Sequence, residues 1–403
     1  MKSLSIGLEE ALRLTQEGIT PLSAENVSLV ESVDRIAARD LFALVDSPST
    51  DSSRKDGYAV LAHEVAGATA ENPVRLRLLG SMAAGGKTDI QVREGTTVRV
   101  LTGARIPTGA DAVVAEEYAR KEHSHVLVES FAQPKNVLRR GSDVAKGQWI
   151  LRAGRRISPV MAGLLAAAGH SSAPVFRNPV VGMLGTGDEI VEPGNPLTDG
   201  KLYASNITTL AGWCNRYRMK SRTAIVRDDR AALLCALKNL ADQTDALITS
   251  GGAWVGDHDL VAHVLEELGW KKIFHRIRIG PGKAVGFGML DRKPVFILAG
   301  GPPSNLMGFL QIALPGILAL AGHTNPGLPT MTARLASDLS EGETDWTDFF
   351  FGTLENHEEL PDFRPMAKRS RLNSLAEATA VASIPEGKKA LPAGSIISVQ
   401  LLT

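Results

Sequence analysis

The chain has few cysteines, no excess of charge of either sign and no long uninterrupted apolar run. Its 403 residues include only two cysteines, Cys214 and Cys235, with no CxxC pair. Neither a disulfide framework nor a structural zinc site is therefore predicted, and a reducing compartment fits this composition. Lysine and arginine together number 44, as do aspartate and glutamate. This balance argues against an extended basic face, so we expect no nucleic-acid partner.

The apolar segments do not predict a membrane anchor. The longest, residues 309–322, contains Pro315 and is too short and too interrupted to cross a bilayer. The first residues, MKSLSIGLEEALRL, carry Glu9 and Glu10 inside their apolar pattern, which is a poor signal-peptide core. We interpret this stretch as a helix of the mature protein and expect a cytoplasmic protein without membrane contact.

The pattern changes along the chain predict several domains, as the length requires. A helical pattern runs from Leu4 to about Leu44, and another over 157–169, where Ser158 can cap the helix and Gly169 can end it. Between them, short β-rich runs separated by glycine turns predict an inserted β domain. The predicted domains are a helical domain from residues 1–44 and 140–176, the inserted β domain at 45–139, an α/β domain at 177–326 and a C-terminal β domain at 327–403.

The predicted α/β domain alternates strands and helices from Pro179 onward. Its strands are continuously apolar, as buried parallel strands are, and the helix that begins near Asp229 has an apolar stripe. This is the pattern of a doubly wound α/β domain. The last residues, about 75 of them, read as the short strands of a small β domain.

Glycines and acids follow the strands of the α/β domain. They are Thr186-Gly187-Asp188-Glu189, Asp228, Ser250-Gly251-Gly252 with Asp257 and Asp259, and Gly300-Gly301-Pro302-Pro303-Ser304, with Lys283 behind another glycine turn. Ligands bind beyond the carboxyl ends of strands in such sheets, where backbone N–H groups can cradle a phosphate and acids can hold a divalent ion. For any one loop alone an ordinary turn with an acidic cap is the favoured interpretation, and Lys283 fits a solvated lysine equally well. Their occurrence together favours a phosphate and metal site.

Two motifs lie outside the α/β domain. Asp56 precedes Gly57 in what reads as a glycine turn at a domain boundary, and Thr102 lies in a β loop. As structure alone they are turns. Cys214, beside Trp213, is interpreted as helix packing rather than as a nucleophile.

These residues together resemble a known family. DGYAV, LTGARIPTGADAVV, RRGSDVAKGQWILRAG, PVVGMLGTGDEIV, TSGGAWVGDHD, PGKAVGFG and SRLNSLAEATAV are similar, in that order, to motifs of the MoeA/gephyrin E-domain family of molybdopterin molybdenumtransferases. The resemblance implies a central MoaB/MogA-like α/β domain, a helical dimerisation domain with an inserted β domain and a small C-terminal β-barrel. It further implies an elongated homodimer whose active cleft lies between the α/β domain of one subunit and the inserted domain of the other.

The resemblance also implies an activity and its residues. Family members insert molybdate into adenylylated molybdopterin with Mg²⁺ and release AMP. By matching motifs, the resemblance implies catalytic roles for Asp56, Thr102, Glu189, Asp228 and Asp259. It implies metal binding by Asp143, Glu189, Asp228 and Asp259. The implied substrate-binding residues are Gly187, Asp188, Ser250, Gly251, Gly252, Lys283, Gly301, Pro302, Ser304 and Ser374. Molybdoenzymes or other cofactor-biosynthesis proteins are the implied protein partners.

Several positions depart from the family pattern. Gly280 replaces a lysine, Trp254 a serine and Ala204 an aspartate, while Ala299 and Gly301 stand where a proline and an asparagine are usual. Losing a charge-assisted contact costs about 1.5 to 3 kcal/mol if the site is buried. Two alternatives therefore stay open: a weakly catalytic paralogue that carries the pterin nucleotide or a partner protein, or an enzyme for another oxyanion such as tungstate. A related adenylyltransferase is disfavoured by the inserted and C-terminal β domains.

Overall fold

The computed structural model describes residues 6–86, 89–252, 260–340, 344–357, 359–366 and 372–402. Contacts divide the chain into two compact units. The first unit comprises Met1–Glu25 and Phe176–Thr403, and the second unit is Asn26–Val175. The second unit therefore interrupts the first in sequence. The finer division into four domains stays a prediction.

The helices follow the sequence pattern between residues 150 and 320, whereas α1 is shorter than predicted and α8 lies where only short strands were predicted. They are α1 (Leu8–Glu17), α2 (Pro159–Ala167), α3 (Ser205–Arg216), α4 (Arg230–Gln243), α5 (Leu260–Glu267), α6 (Pro302–Gly308), α7 (Leu314–Leu320) and α8 (Leu372–Glu377), with single 3-10 turns at Glu116–Tyr118 and Pro134–Asn136. In α2 the Ser158 side chain accepts a hydrogen bond from the Met161 N–H, as the sequence predicted. The helix predicted from Leu4 to Leu44 was wrong beyond Glu17, because α1 ends at Gly18.

The second unit is built mainly of strands. In chain order the strands up to its end are β1 (Ala24–Ser28), β2 (Leu41–Phe42), β3 (Ser52–Ser53), β4 (Gly57–Val60), β5 (Val74–Met82), β6 (Thr96–Val100), β7 (Ala112–Ala115), β8 (Ala119–Glu122), β9 (His125–Val128), β10 (Val137–Leu138), β11 (Trp149–Leu151) and β12 (Ser172–Phe176). Six of them form one sheet in the order β7-β4-β6-β5-β9-β8. Apolar side chains from these strands form two clusters, as the predicted β domain requires.

Gly57 belongs to a strand and not to a turn, which corrects the sequence interpretation. It is buried at the start of β4, between β6 and β7. A Cβ atom there would collide with the backbone oxygen of Val114 on β7. The glycine is thus required by the close approach of two strands, and its effect is to fix Asp56 at the end of a central strand.

The strands of the first unit are β13 (Val180–Thr186), β14 (Ile190–Val191), β15 (Leu202–Tyr203), β16 (Lys220–Val226), β17 (Ala246–Ser250), β18 (Lys271–His275), β19 (Ile279–Gly280), β20 (Gly286–Leu290), β21 (Lys293–Leu298), β22 (Thr330–Leu335), β23 (Leu339–Ser340), β24 (Thr347–Glu355), β25 (Asp362–Pro365), β26 (Ala380–Ile384), β27 (Ala390–Leu391) and β28 (Ile396–Leu401). The α/β sheet has the order β16-β13-β17-β21-β20-β18.

This α/β sheet is mixed rather than wholly parallel. Strands β16, β13, β17 and β21 run parallel, whereas β20 is antiparallel to both of its neighbours, and β18 was not predicted. The reason is the connection between β20 and β21, which consists only of Asp291 and Arg292. A two-residue loop can join antiparallel strands but cannot provide a parallel crossover. The parallel strands are the ones whose carboxyl ends meet at one edge.

The C-terminal strands form the small barrel that the sequence led us to expect. Their order is β24-β25-β22-β28-β26, and a further pairing of β26 with β24 closes the ring. Phe350 and Phe363 are fully buried inside it. Strand β19 also pairs with β24, so the barrel is attached to the α/β part of the first unit beside Gly280.

A long buried helix follows β21 in spite of Pro315. Helices α6 and α7 are joined by a π-helical turn, Phe309–Ala313, directly before that proline. The wider turn accommodates the proline ring, so the expectation that Pro315 interrupts the segment was wrong. The combined helix, Pro302–Leu320, has a mean hydropathy of 1.4 and 83% of it is buried inside the protein. Length and composition alone would allow a membrane span, but such burial is typical of a core helix.

Arg177 and Asp245 provide a stability prediction. The Arg177 guanidinium donates to both carboxylate oxygens of Asp245 at 2.6 and 2.8 Å, and the Val180 N–H donates to the same carboxylate at 2.8 Å. Burial opposes ionisation of Asp245, but these hydrogen bonds outweigh it and lower the pKa below its ordinary value of 3.8. We expect Asp245→Asn to lower the free energy of unfolding at pH 7 by about 1 to 3 kcal/mol, between the values for exposed and fully buried pairs.

The pH dependence of this effect has a definite sign. Because folding lowers the pKa of Asp245, its stabilisation is complete above pH 3.8 and is lost as the pH falls through the lower folded value. Urea unfolding at pH 7 and at pH 3 should thus show the difference between wild type and Asp245→Asn shrinking in acid. Glu17→Gln, in the exposed pair with Arg13, is the control and should change stability by less than about 0.5 kcal/mol. An undiminished difference in acid would contradict the ion-pair explanation.

Candidate active site

The loops after the parallel strands line one cavity of about 1010 Å³ in the first unit. Residues chosen from the sequence that line it are Gly187, Glu189, Asp228, Ser250, Gly251, Gly252, Lys283, Gly301 and Pro302. Asp188, Ser304 and Ser374 are described but are not part of this lining. Asp257, Asp259 and Trp254 lie outside the described residues. The edge of the sheet therefore gathers most of the predicted residues that can be located in this unit.

Two carboxylates, those of Glu189 and Asp228, line the cavity. The Thr186 hydroxyl donates to Asp228 Oδ1 at 2.5 Å, which leaves Oδ2 for a ligand. The Glu189 carboxylate lies against Gly187, where a Cβ atom would stand only 2.6 Å from Glu189 Oε2. The described residues contain no group of three or more acids, histidines or cysteines arranged to hold a metal ion. The two carboxylates nevertheless offer the hard oxygen ligands that Mg²⁺ prefers when it is also held by substrate phosphates.

Two asparagines fix the hydroxyl of Ser250 at the end of β17. Asn206 Nδ2 donates to Ser250 Oγ at 3.2 Å and to the Gly300 carbonyl at 2.8 Å, and Asn305 Nδ2 donates to the same Oγ at 3.0 Å and to the Ala299 carbonyl at 2.8 Å. A carbonyl oxygen can only accept, so each amide group must direct its nitrogen toward the carbonyl it contacts. Ser250 Oγ therefore accepts twice, and its own proton is left to donate to an anion.

Arg276 and Lys283 supply positive charge to the same cavity. Arg276 has a left-handed backbone with φ of 95°, a conformation that costs a residue with a side chain about 1 to 3 kcal/mol. Its Nε is buried and has no hydrogen-bond partner among the described residues. A strained arginine with an unsatisfied buried donor beside a lysine is suited to receive an oxyanion, which would supply the missing acceptor.

Two departures from the family pattern have structural explanations. At Gly280 the Asp348 carboxylate of β24 occupies the space that a Cβ atom would need, so a lysine could replace this glycine only if the Asp348 side chain moved away. Ala204 is the N-cap residue of α3 and makes no side-chain capping bond there. Loss of a capping aspartate costs about 1 kcal/mol of helix stability, and because Ala204 lines the cavity it also removes a carboxylate from the cavity wall.

Asp56 and Thr102 are brought together in the second unit. Asp56 Oδ1 accepts hydrogen bonds from the Thr102 N–H at 2.7 Å and from the Thr102 hydroxyl at 2.8 Å. These bonds, the N–H first, lower the pKa of Asp56 below its ordinary value. The carboxylate is therefore kept ionised and aimed by its neighbour. Asp143 is also exposed in the second unit, where its N–H donates to the Ser47 carbonyl at 3.0 Å.

Cys214 has the structural role expected from the sequence. It is fully buried on α3, and burial raises the pKa of its thiol to about 12. A thiol so strongly protonated is a poor nucleophile at neutral pH.

Gly251 provides a prediction that links the cavity wall to stability. Its φ is 101°, and a Cβ atom would stand 2.6 Å from the Thr186 carbonyl oxygen. We expect Gly251→Ala to lower the free energy of unfolding by about 1 to 3 kcal/mol through backbone strain. It should also displace Thr186, the hydroxyl donor to Asp228. Gly301→Ala is the control, because Gly301 lines the same cavity with no atom within 4 Å of its Cβ position. Chemical denaturation measures the free energy of unfolding of both variants. Equal values for Gly251→Ala and Gly301→Ala would contradict the predicted backbone strain at Gly251.

The sequence analysis missed Arg276, Asn206, Asn305 and the role of Thr186. A single arginine near a strand end carries no signal, since its backbone angle and buried Nε appear only in the fold. Asn206 resembled an ordinary residue of a helix start. Asn305 did carry a signal, because an amide inside the apolar segment NLMGFLQIALPGILAL needs a partner when buried.

The chain is similar to known proteins over nearly its whole length. Residues 6–169 match the MoeA N-terminal region (domain I and II), and residues 182–319 match the probable molybdopterin binding domain. A molybdopterin molybdenumtransferase of Bacillus subtilis is 31% identical over 100% of this chain and 95% of its own length. Another, of Haemophilus influenzae, is 34% identical over 79% of this chain and 78% of its own.

Solved structures give the same result. Two structures of the molybdopterin biosynthesis MoeA protein from Pyrococcus horikoshii are similar to this chain. One superposes with a TM-score of 0.84 at 32% identity and covers 99% of this chain and 99% of its own length. The other has a TM-score of 0.82 at 26% identity and covers 98% of this chain and 100% of its own length. Sequence and fold thus agree along the same stretch of chain, and the chain belongs to the MoeA family, whose curated members are molybdopterin molybdenumtransferases.

Proposed function

We propose that this chain is a molybdopterin molybdenumtransferase, which inserts molybdate into adenylylated molybdopterin and releases AMP. The observation that carries the proposal is one cavity at the carboxyl edge of the sheet that combines two carboxylates with Arg276 and Lys283. Acids and cations that line the same cavity suit a substrate that joins phosphates, a bound cation and an oxyanion. The carrier alternative is not favoured, because the relatives that match the whole chain are named for the transferase.

In this proposal the cations and Ser250 hold the anionic parts of the substrates. Arg276 offers its buried, unpartnered Nε, and Lys283 adds a mobile charge on the same wall. Ser250 donates its proton to a phosphate or molybdate oxygen, since Asn206 and Asn305 occupy its acceptor sites. The fixed directions of these donors reduce the reorganisation needed as charge moves from the adenylate to AMP.

Glu189 and Asp228 would hold Mg²⁺ against the phosphates. Bound there, Mg²⁺ would supply charge neutralisation for the departing AMP. The fit is supported by Asp228 Oδ2, to which no described residue donates, and by the placement of Glu189 on the glycine turn at Gly187. We include Asp259 in this set on the family motif alone, as we do Asp143 in the second unit.

We further propose that the chain acts as a cytoplasmic homodimer, with Asp56 and Thr102 of one protomer serving the cavity of its partner. The support is that the Thr102 N–H and hydroxyl both donate to Asp56 Oδ1, which keeps this exposed carboxylate ionised and oriented directly before β4. Mixing Asp56→Asn and Asp228→Asn proteins tests the arrangement. Shared sites predict recovered activity, since each mixed dimer then has one intact site. Absence of recovery in demonstrated mixed dimers would reject sharing.

The proposed reaction is tested by incubating the purified chain with adenylylated molybdopterin, Mg²⁺ and molybdate. We expect AMP release together with cofactor that activates an apo-molybdoenzyme. Omission of molybdate and omission of Mg²⁺ are the paired controls. If the protein bound the nucleotide but formed neither product under these conditions, the proposed function would be rejected in favour of a carrier.

A further inference from the structure

A second pocket of about 440 Å³ opens beside the cavity of the proposed active site. Helices α3, α6 and α8 form its walls, and it shares Asn206, Pro302 and Leu372 with the larger cavity. We call it the α3–α8 pocket. The two spaces are therefore adjacent, and a ligand whose phosphates lie in the larger cavity is within reach of this pocket.

The lining of the α3–α8 pocket is mostly apolar and includes an aromatic ring. Trp213, Leu306 and Leu375 contribute apolar surface, and the polar members are Asn206, Thr209, Arg216 and Asn305. The Arg216 guanidinium lies 5.2 Å from the centre of the Trp213 ring and donates to the Leu402 carbonyl at 2.7 Å, which holds the ring and the chain end together. Small-molecule sites commonly combine a preformed apolar wall with a few fixed polar groups.

The two asparagines give this pocket a defined hydrogen-bonding character. Their Nδ2 atoms are used by Ser250 and by the carbonyls of Ala299 and Gly300. Among the described residues nothing donates to their Oδ1 atoms, which remain acceptors for a ligand. Such acceptors match the ring N–H and amino groups of a planar heterocycle, and the Trp213 ring, over which the Arg216 guanidinium lies, contributes aromatic surface to the wall.

Gly212 keeps the pocket open at a cost to its helix. It lies inside α3, lines the pocket and has no atom within 4 Å of its Cβ position. A glycine within a helix costs about 1 kcal/mol relative to alanine. Side chains added here would enter the pocket and not the core, so this position offers a way to fill the pocket without damaging the fold.

From this arrangement we infer that the α3–α8 pocket binds a planar heterocycle of the nucleotide substrate while its phosphates occupy the larger cavity. The inference rests on the proposed function for the identity of the substrate. Adenylylated molybdopterin carries two such rings, adenine and pterin, and both present N–H donors on a flat aromatic system. The experiment must therefore distinguish them.

The decisive variant is Gly212→Leu, with Gly163→Leu as its matched control. Gly163 lies inside α2, in the second unit, and likewise has no atom within 4 Å of its Cβ position. AMP and pterin-6-carboxylate are titrated separately by calorimetry into the full-length wild type and both variants. We expect Gly212→Leu to weaken one of the two probes roughly tenfold or more, about 1.4 kcal/mol, and Gly163→Leu to weaken neither.

The probe that is weakened identifies the ring in the pocket. If Gly212→Leu bound each probe with the same affinity as the wild type, the inference would be overturned. A wild type that binds neither probe would overturn it as well. Thermal unfolding must show Gly212→Leu folded, and if it is not, Gly212→Ala provides the smaller change at the same position. Failure of molybdenum insertion by the wild type would reject the proposed function but would leave these binding results standing.

Discussion

Asp228→Asn is expected to reduce AMP release by roughly a hundredfold, equivalent to about 3 kcal/mol of transition-state stabilisation. The substitution keeps an Oδ1 atom that can accept from the Thr186 hydroxyl, so the loop geometry is retained. What it removes is the negative charge that the proposal assigns to Mg²⁺. The Mg²⁺ concentration for half-maximal AMP release should therefore rise in the same variant.

The adjacent residue is a closely matched control. Asp229 caps α4, and its Oδ1 accepts from the Ala232 N–H at 2.8 Å. Asparagine caps a helix as well as aspartate does, so Asp229→Asn removes one charge without removing the cap. We expect this variant to keep the wild-type rate and stability. Equal losses in both variants would point to general electrostatics, and wild-type turnover by Asp228→Asn would remove Asp228 from the site.

Arg276→Ala is expected to raise the KM for molybdate by roughly 10- to 100-fold. The loss of a charge-assisted hydrogen bond of about 1.5 to 3 kcal/mol corresponds to that range. The reason is the buried Nε, which has no acceptor of its own among the described residues. Steady-state kinetics with varied molybdate measure the effect, and Arg276→Lys should give an intermediate value because it keeps the charge but loses the planar fork.

Stability measurements distinguish a role of Arg276 in molybdate binding from a role in the fold. Arg276 has a strained left-handed backbone with φ of 95°, a conformation that glycine adopts without strain. Arg276→Gly should thus be at least as stable as the wild type while losing molybdate affinity. Lys272→Ala removes a charge from the same part of the sheet, in an exposed pair with Glu266, and should change neither property. A destabilised Arg276→Gly with unchanged KM would assign the arginine to the fold alone.

Local structure was predictable wherever a short stretch of sequence carried the physical cause. Ser158 caps α2, Asp229 caps α4, and the buried stripe of Leu233, Leu237 and Leu240 faces the core as its spacing predicted. The strand-end position of the glycines and acids was likewise predictable, because parallel strands place their carboxyl ends on one edge. The sequence interpretation was wrong where a residue distant in sequence determines the local structure. Gly57 is an example, because the backbone of Val114 on the neighbouring strand leaves no room for a side chain there.

The amino-acid sequence by itself determined the order of the elements, the resemblance to the family and the loops in which acids and glycines occur. Only the tertiary structure decided which of these residues meet. Thr186 and Asp228 are 42 positions apart, and Asn206 and Gly300 are 94 apart. Their contacts follow from strand order and helix packing, which periodicity does not encode. For the same reason the strain at Arg276, the paired amides on Ser250 and the pocket beside Gly212 exist only in the folded chain, where side chains from separate strands and helices face a common space.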